Sequence, residues 1–405
     1  MLRLLTENIL DREERIMAEW IEKSLGEIAE ITKLAGFEFT KYIEYNNDGE
    51  VIALRALNLR NGELDLTDIK RISRKVSDGL TRSKIYKDDI LLTYTGNGYG
   101  DCAIIEENDK YHLAPNICKI VPNKNVISPY YLYCYIRSKA FYNQMSNNMT
   151  GSGQPTIPMK TIRLLKIPVP ELRVQVNIAN MLWLLNQKIR NNKVINNNLE
   201  QQAQAIFKSW FVDFEPFNNR KPSDWSVSTL GNVSIMGAGG DKPQNVSPIK
   251  TDLYEYPIYS NGLSNEGLYG FTDKPKISEE SVTVSARGTI GFVCLRHIPY
   301  VPIVRLVTLI PKTEIVSAKY LYLWLKQLHI TGTGTTQQQL TVPDFQKTEI
   351  LVPSQKIVTL FTATVEPIFE KIRANQNENE KLSSLRDTLL PKLMSGELDV
   401  SDTEI

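Results

Sequence analysis

The chain has 405 residues, with 47 lysines and arginines against 46 aspartates and glutamates, and a formal net charge of +1. This composition predicts a globular protein of two or three domains and excludes a basic coat such as a histone carries. No run of about 18 apolar residues could span a membrane, and acidic residues from Glu7 onward argue against a secretory signal, so we expect a cytoplasmic protein.

The first nineteen residues carry an amphipathic pattern of their own. Leu2, Leu5, Ile9 and Ile16 recur at the spacing of one helix face, which predicts a helix within residues 1–19. Two positions for this helix stay open: it could dock on a partner or on the C-terminal helix of the chain.

Residues 20–170 are predicted to form a mixed α/β domain. Segments rich in β-branched and aromatic residues predict strands at 51–59, 89–94 and 116–121. An amphipathic pattern predicts a helix at 128–141. Gly96, Gly98 and Gly100 lack the third spacing and the acidic partner of a dinucleotide-binding loop, so we interpret them as a turn.

Each half of the chain ends in a long predicted helix. Between residues 175 and 211, seam positions alternate by four and three, as in a coiled coil, and such a helix would span about 55 Å. The pattern recurs after Pro353, where Pro367 could kink the helix. Paired Asn residues on each seam would fix helix register or partner docking, because a buried amide needs a matching polar group; alternatively, the apolar stripe rotates there and they are exposed. They are Asn192, Asn196, Asn375 and Asn379.

The two halves repeat one another. Motifs recur in the same order: Trp20…Leu25-Gly26 as Trp225…Leu230-Gly231, ILLTYTG (90–96) as VTVSARG (282–288), IVP…YLY (120–133) as LIP…YLY (309–322), TGSGQ (150–154) as TGTTQ (333–337), and IPVP (167–170) as ILVP (350–353). The second half also has predicted strands at 281–286 and 304–310 and a predicted helix at 317–328. A colinear series indicates a duplicated unit, so the predicted fold class is α+β, with two mixed α/β domains and two long helices.

Basic residues cluster in both halves. Residues 110–170 contain no acid, and residues 281–343 contain Glu314 alone. A further cluster, opposed only by Asp78, comprises Lys70, Arg71, Arg74, Lys75, Arg82, Lys84 and Lys87. One such cluster is often a solvated face, but its occurrence in both copies of a repeat favours contact with DNA phosphates.

No catalytic or metal centre is recognisable in the sequence. There is no GxxxxGK[ST] loop, and His112, His297 and His329 lack the spacing of metal ligands. The string SPYY at 128–131 lacks the second proline of the Asn/Asp/Ser-Pro-Pro-aromatic motif of amino-methyltransferases. The four cysteines, Cys102, Cys118, Cys134 and Cys294, form no CxxC pair and are expected to be buried free thiols.

Several of these motifs, taken in order, point to one family. They are the half-starts at Trp20 and Trp225, the TGSGQ motif, the junction from IPVP to Gln175 that leads into residues 188–214, and the ending LRDTLLPKLMSGEL at 385–398. On these motifs the chain resembles the specificity subunit of type I restriction-modification enzymes, from Trp20 to about Asp399.

The resemblance implies a DNA-recognition subunit without a catalytic centre. Two target recognition domains would each read one half of an interrupted, asymmetric site in double-stranded DNA. The two helices would pack as an antiparallel coiled coil, related by a pseudo-twofold repeat, and would set the spacing of the half-sites. They would also dock two methyltransferase subunits, and motor-nuclease subunits would join for cleavage. S-adenosylmethionine, ATP and Mg²⁺ would be bound by these partners and not by this chain.

The expected organisation and reading residues follow from these patterns. The segments are an extension (1–19), recognition domain 1 (20–170), spacer helix 1 (171–213), a linker (214–224), recognition domain 2 (225–353), spacer helix 2 (354–394) and a tail (395–405). Besides the basic cluster at 70–84, DNA-binding candidates chosen by residue type and by loop or strand-end position are Arg55, Asn58, Tyr94, Asn97, Tyr99, Asn261 and Arg287. Arg55 or Arg287 could equally be an internal salt-bridge partner.

Two other functions stay open from the residues alone. One is a stand-alone DNA-binding protein or a protein-binding scaffold, and a steep fall in DNA affinity with salt would separate these two. The other is a fused adenine methyltransferase, which would bind S-adenosylmethionine itself.

Overall fold

The computed structural model describes residues 20–96, 98–150, 155–332 and 339–401. These residues form two units: the first contains those up to 191 and from 378 onward, and the second contains 192–377. The helix predicted within 1–19 and most of the TGSGQ and TGTTQ motifs lie outside the described residues. Within the described ranges, no helix is both long and apolar enough to cross a membrane.

The first unit is built on two four-stranded sheets. Its strands are β1 (Ile21–Ser24), β2 (Ala29–Lys33), β3 (Val51–Leu54), β4 (Leu59–Arg60), β5 (Glu63–Leu64), β6 (Lys70–Ile72), β7 (Lys84–Ile85), β8 (Ile90–Thr93), β9 (Cys102–Ile104), β10 (Tyr111–Leu113), β11 (Ile117–Pro122) and β12 (Lys166–Val169). Its short helices are α1 (Leu25–Ile28), α2 (Gly36–Tyr42), α3 (Arg74–Gly79), α4 (Pro129–Ile136), α5 (Lys139–Asn147) and α6 (Met159–Leu164). One sheet has the order β2-β11-β8-β9, the other has the order β6-β3-β10-β7 with β3 parallel to β10, and β1 pairs with β12.

The second unit repeats most of this topology, but its second sheet has three strands. After the long helix α7 (Leu172–Phe211), its strands are β13 (Ser226–Thr229), β14 (Ser234–Ala238), β15 (Tyr256–Tyr259), β16 (Leu268–Thr272), β17 (Ser281–Val284), β18 (Val293–Arg296), β19 (Val301–Pro302), β20 (Val307–Pro311) and β21 (Glu349–Val352). Its helices are α8 (Leu230–Val233), α9 (Ala318–Gln327), α10 (Val342–Phe345) and the first part of α11 (Gln355–Ser395). The sheet β14-β20-β17-β18 matches β2-β11-β8-β9, the pair β13–β21 matches β1–β12, and β15 runs parallel to β19 as β3 does to β10. The three-stranded sheet has the order β16-β15-β19.

The repeated Leu-Gly motif has the same local role in both units. Leu25 N–H donates to Leu165 O at 2.8 Å, and Leu230 N–H donates to Thr348 O at 2.9 Å. A Cβ atom on Gly26 would lie 3.1 Å from Arg163 Cβ, and one on Gly231 would lie 3.2 Å from Gln346 Cβ. Glycine therefore allows the first short helix to approach the segment that leads into the last strand of each unit.

The two long helices run in opposite chain directions where they pack against each other within each unit. In the first unit, the early part of α7 packs against the late part of α11, with Ile189 beside Leu382. In the second unit, the late part of α7 packs against the early part of α11, with the Phe207 and Phe361 rings 5.9 Å apart. Within each unit the two helices are therefore antiparallel. The predicted fold class, two mixed domains with antiparallel long helices and an internal repeat, is confirmed.

Two predicted elements are divided in the structure. The strand predicted at 51–59 becomes β3 and β4, because a 3₁₀ turn at Ala56–Asn58 intervenes. The helix predicted at 128–141 becomes α4 and α5, because Ser138 accepts a hydrogen bond from Phe141 N–H at 3.2 Å and so begins a new helix. The strands predicted at 89–94, 116–121, 281–286 and 304–310 and the helix predicted at 317–328 are present as β8, β11, β17, β20 and α9.

All four cysteines are buried free thiols, as predicted. Burial raises the pKa of each thiol to about 12, so they stay protonated and act as small apolar core residues.

Candidate nucleic-acid interface

A glycine-bounded turn joins β8 to β9 at residues 94–101. Thr93 and Gly100 close it, with Gly100 N–H donating to Thr93 O at 2.9 Å. Gly96 and Gly100 have φ values of +83° and +88°, in the left-handed region that favours glycine. A Cβ atom on Gly96 would meet no heavy atom within 4 Å, so this side of the turn is open. The interpretation of these glycines as a turn is confirmed.

A second segment lies beside this turn. Gly96 N–H donates to Pro155 O at 2.8 Å, and Ile157 N–H donates to Tyr94 O at 3.0 Å. The hydroxyls of Thr95 and Thr156 are 2.7 Å apart. Thr150 and Thr156 also exchange backbone hydrogen bonds of 3.0 Å. Residues on both sides of 151–154 thus lie beside the turn at one edge of the first unit.

The second unit has the same backbone arrangement between β17 and β18. Gly291 N–H donates to Ser285 O at 3.0 Å, and Leu340 N–H donates to Ala286 O at 3.0 Å. Gly288 has φ +69° and an equally open side. We call each such edge a paired loop: residues 94–96 and 98–101 with 150 and 155–157 in the first unit, and residues 285–292 with 339–340 in the second.

The side chains of the first paired loop are aromatic. Tyr99 stacks on Tyr142 of α5, with ring centroids 5.3 Å apart and planes 19° from parallel. Tyr142 OH donates to Tyr99 OH at 2.7 Å, and Ser146 Oγ lies 3.0 Å from Tyr99 OH. Hydrogen bonds from Ser146 and Tyr142 lower the pKa of Tyr99. Tyr142 is 43% exposed, so the pair offers a ring and hydroxyls to solvent.

The second paired loop carries an arginine and amides. Arg287 donates from Nε and Nη2 to Gln339 Oε1 at 3.3 and 3.0 Å. Asn261 donates to Val304 O at 2.6 Å and accepts from Ala286 N–H at 2.7 Å. Asn261 therefore supports the base of the loop, whereas the partner of Arg287 among the described residues is a neutral amide.

Two candidates from the sequence are structural residues. Asn58 is fully buried and donates to the carbonyls of Asp65 and Asp68, both at 2.8 Å. The prediction that Asn58 contacts DNA is therefore corrected, because its amide donors are already used inside the fold. Arg55 bonds Asp68 O at 2.8 Å and pairs with Asp68 Oδ1 at 3.0 Å, which is the alternative of an internal salt bridge.

The basic cluster at 70–84 lies on β6, α3 and β7, away in sequence from the paired loop. Most of its members have partners within the unit: Arg71 with Gly49 O, Arg74 with Asp109 O, Arg82 with Glu38 and Lys84 with Asp78. Lys75 is exposed and Lys70 is half-buried. Phosphate contact therefore stays the predicted role of these residues.

The other candidates have mixed positions. Tyr94 enters the first paired loop, with its ring 5.3 Å from Lys33 Nζ, and burial raises its pKa. Asn97 lies outside the described residues. Tyr142, Ser146 and Gln339 were missed, because only the fold brings them to their partners; Tyr142 is 43 positions from Tyr99 in sequence.

The seam asparagines meet in the second unit. Asn375 Nδ2 donates to Asn196 Oδ1 at 2.7 Å, and Asn196 Nδ2 donates to Ile372 O at 3.3 Å. Asn192 and Asn375 are buried, while Asn379 is half-buried. Such an amide pair is satisfied in one helix register, which supports the register interpretation. In the described part of the chain, no three His, Cys, Asp or Glu residues are grouped to hold a metal.

Comparison with known proteins finds a consistent family. The family model described as the type I restriction modification DNA specificity domain matches residues 17–201 and 222–384. The specificity subunit of the type I restriction enzyme HindI from Haemophilus influenzae is 25% identical over 94% of this chain and 100% of its own length. The specificity subunit of MjaIX from Methanocaldococcus jannaschii is 26% identical over 96% of this chain and 95% of its own length.

A solved structure shares the fold. The S subunit of a type I restriction-modification system from M. genitalium aligns with a TM-score of 0.56 at 16% identity, covering 92% of this chain and 96% of that chain.

Proposed function

This chain belongs to the type I restriction-modification DNA specificity family, and we propose that each unit reads one half of an interrupted DNA site through its paired loop. The chain is a DNA-recognition subunit and not a catalytic one. The proposal concerns which edge of each unit faces the bases.

One observation carries this proposal: the paired loops keep their backbone and change their side chains. Both have the closing hydrogen bond from glycine and the open left-handed glycine. The first presents stacked tyrosines, whereas the second presents an arginine and an amide. A common backbone with different donors and acceptors is what two unlike half-sites require, because each base pair has its own pattern of groups in the major groove.

The partner that an arginine has in the fold indicates whether the arginine is available to contact a base or has a structural role. Within the described part of the chain, Arg287 gives its hydrogen bonds to a neutral amide, which a guanine edge can replace. Arg296, by contrast, is 3% exposed and pairs with Glu266 at 3.0 Å, so displacing it would leave a carboxylate without its partner. Tyr99 and Tyr142 can donate and accept through their hydroxyls and can stack on a sugar or base.

The catalytic steps belong to other subunits in this proposal. Two methyltransferase subunits dock on the long helices, and motor-nuclease subunits join them for cleavage. These partners bind S-adenosylmethionine, ATP and Mg²⁺, and the assembly works in the cytoplasm. The long helices set the distance between the two half-sites.

Sequencing of methylated bases in a host that carries the chain with its methyltransferase subunit tests the proposal. We expect Tyr99→Ala to relax the half-site read by the first unit and Arg287→Ala to relax the other, each by about tenfold in discrimination, since one base contact contributes about 1–3 kcal/mol. Tyr86→Ala is the matched control, because Tyr86 is also exposed in the first unit but lies outside the paired loop. Identical effects of Tyr99→Ala and Arg287→Ala on both half-sites, or effects on neither, would contradict the assignment. Methylation by the purified chain alone would contradict the function itself.

A further inference from the structure

An apolar face on α7 has no covering residues among those that the structure describes. Leu172, Val176, Trp183 and Leu184 lie in the first unit and are each between 41% and 47% exposed. At about 100° per residue, Leu172, Val176 and Trp183 project from one side of the helix, with Leu184 at its margin. Large apolar side chains grouped in this way mark an interaction surface.

The repeat does not explain this face. The helices α7 and α11 start at Leu172 and Gln355, so the counterparts of the four apolar residues are Gln355, Thr359, Glu366 and Pro367. Glu366 is engaged in ion pairs with Lys319 and Arg373. A partner that docks in the same way on both helices would need the same surface twice. The apolar face therefore fits an occupant that is present once.

Residues 1–19 occur once, and the chain enters the described fold close to this face. β1 pairs with β12, with Ile21 opposite Val169, and β12 leads directly into α7 at Leu172. Trp20 also packs near the end of α11, where a Cβ atom on Gly396 would lie 3.2 Å from its ring. The extension thus starts about one strand spacing, roughly 5 Å, from the segment that begins α7.

Length, pattern and charge suit this occupant. A helix of 19 residues spans about 28 Å, more than the roughly 17 Å from Leu172 to Trp183. The sequence of residues 1–19 carries the apolar stripe of Leu2, Leu5, Ile9 and Ile16, and it has five acidic residues against three basic ones. The facing part of α7, residues 172–191, has no acidic residue; its basic residues are Arg173, Lys188, which pairs with Glu378, and Arg190, which pairs with Glu106.

We propose that residues 1–19 pack as an amphipathic helix along the apolar face formed by Leu172, Val176, Trp183 and Leu184 of α7. This packing supplies the first unit with an apolar contact that the second unit lacks, and it leaves the paired loops unaffected.

Thiol labelling of the full-length chain tests this packing, because the four native cysteines are buried and do not compete. Val176→Cys reports on the face. Val194→Cys is the matched control, since Val194 lies on the same helix beyond residues 172–191 and is 55% exposed. We expect maleimide to modify Val176→Cys about tenfold faster when Leu5→Asp and Ile9→Asp disrupt the stripe, with no change at Val194→Cys.

Three results would overturn the proposal. Equal labelling of Val176→Cys with and without the stripe substitutions would show that residues 1–19 do not cover the face. Protection that grows with protein concentration would assign the face to a second copy of the chain. Protection that arises only after a methyltransferase subunit is added would assign it to that partner.

Discussion

In each unit the mixed domain contacts the long helices through a group of polar side chains, which we call the joint of that unit. The two joints differ in their chemistry. In the first unit, Asn186 of α7 donates to Tyr130 OH at 3.0 Å, and Arg386 of α11 donates to Asn186 Oδ1 at 3.1 Å. The repeat places Lys319 where the first unit has Tyr130. Lys319 Nζ lies 2.9 Å from carboxylate oxygens of both Glu280 and Glu366.

The joint of the second unit contains further charged residues. Arg373 lies 3.2 Å from Glu366 and 3.9 Å from Glu280, and His297 Nδ1 lies 3.5 Å from Glu280. Lys319 is only 5% exposed, so its charge is stabilised by these partners and little by water. The repeat has kept the strand order and the loop backbones, whereas the contact with the long helices differs: hydrogen bonds through the Tyr130 hydroxyl and the Asn186 amide in the first unit, and ion pairs around the buried Lys319 in the second.

Removing Lys319 should have the largest effect on the difference in stability between the two units. We expect Lys319→Met to lower the free energy of unfolding of the second unit by about 3 kcal/mol, because two partly buried carboxylates lose a shared cation. Tyr130→Phe should lower that of the first unit by about 1 kcal/mol, the usual contribution of one hydrogen bond. Hydrogen exchange of α9 and α4, followed by mass spectrometry, measures the two units separately.

A combined variant distinguishes lost charge balance from lost packing. Adding Glu280→Gln to Lys319→Met removes one of the two carboxylates and leaves Glu366 paired with Arg373, so we expect most of the stability to return. Equal losses in Lys319→Met and Tyr130→Phe would show that the two joints are energetically alike and that the contrast drawn here is wrong.

Sequence patterns predicted the parts of this molecule that local periodicity determines. The long helices and the strands around ILLTYTG and VTVSARG were predicted because apolar spacing and β-branched residues act over a few positions. The joints were not predicted, since Lys319 looks like any helix-start lysine until the fold brings Glu280 and Glu366 to it. Asn58 was misjudged for a related reason: its loop position suggested exposure, but the turn through Asp65 and Asp68 encloses it.

The candidate interface was predicted in part. Tyr99 and Arg287 were selected by type and position, and the structure places both in the paired loops. Their supports, Tyr142 and Gln339, come from distant segments, and no short-range pattern marks them. The basic cluster stays a predicted contact for DNA phosphates, although charge counts along the sequence did not show which carboxylates or carbonyls the same side chains meet in the fold.

Acidic pH should reveal a further difference between the two joints, because the second depends on the ionised Glu280. Burial alone would raise the pKa of Glu280, but the neighbouring His297 and the hydrogen bonds from Lys319 outweigh burial and lower it. The ionised form therefore stabilises the folded second unit above the unfolded glutamate pKa of about 4.3, and this stabilisation is lost as the pH falls through the lower folded pKa. We expect Glu280→Gln to be less stable than wild type at about pH 6 and to lose less stability between about pH 5 and pH 3. If stability measured by hydrogen exchange fell equally steeply with pH in wild type and in Glu280→Gln, Glu280 would not be the origin of the acid sensitivity.

The smallest expected effect concerns the tyrosines of the first paired loop, which have no counterpart in the second. Hydrogen bonds from Ser146 and then Tyr142 lower the pKa of Tyr99, so Ser146→Ala should raise that pKa and Tyr142→Phe should raise it less. Tyr142→Phe keeps the stacked ring, found 5.3 Å from Tyr99, and removes only the hydroxyl. Carbon-13 labelled tyrosine, observed by NMR during an alkaline titration, reports the Tyr99 pKa, and Tyr86→Phe serves to assign an unrelated exposed resonance. An unchanged Tyr99 pKa in both variants would mean that the hydroxyl chain is not formed in solution, and the first paired loop would then present two independent tyrosines in place of one coupled pair.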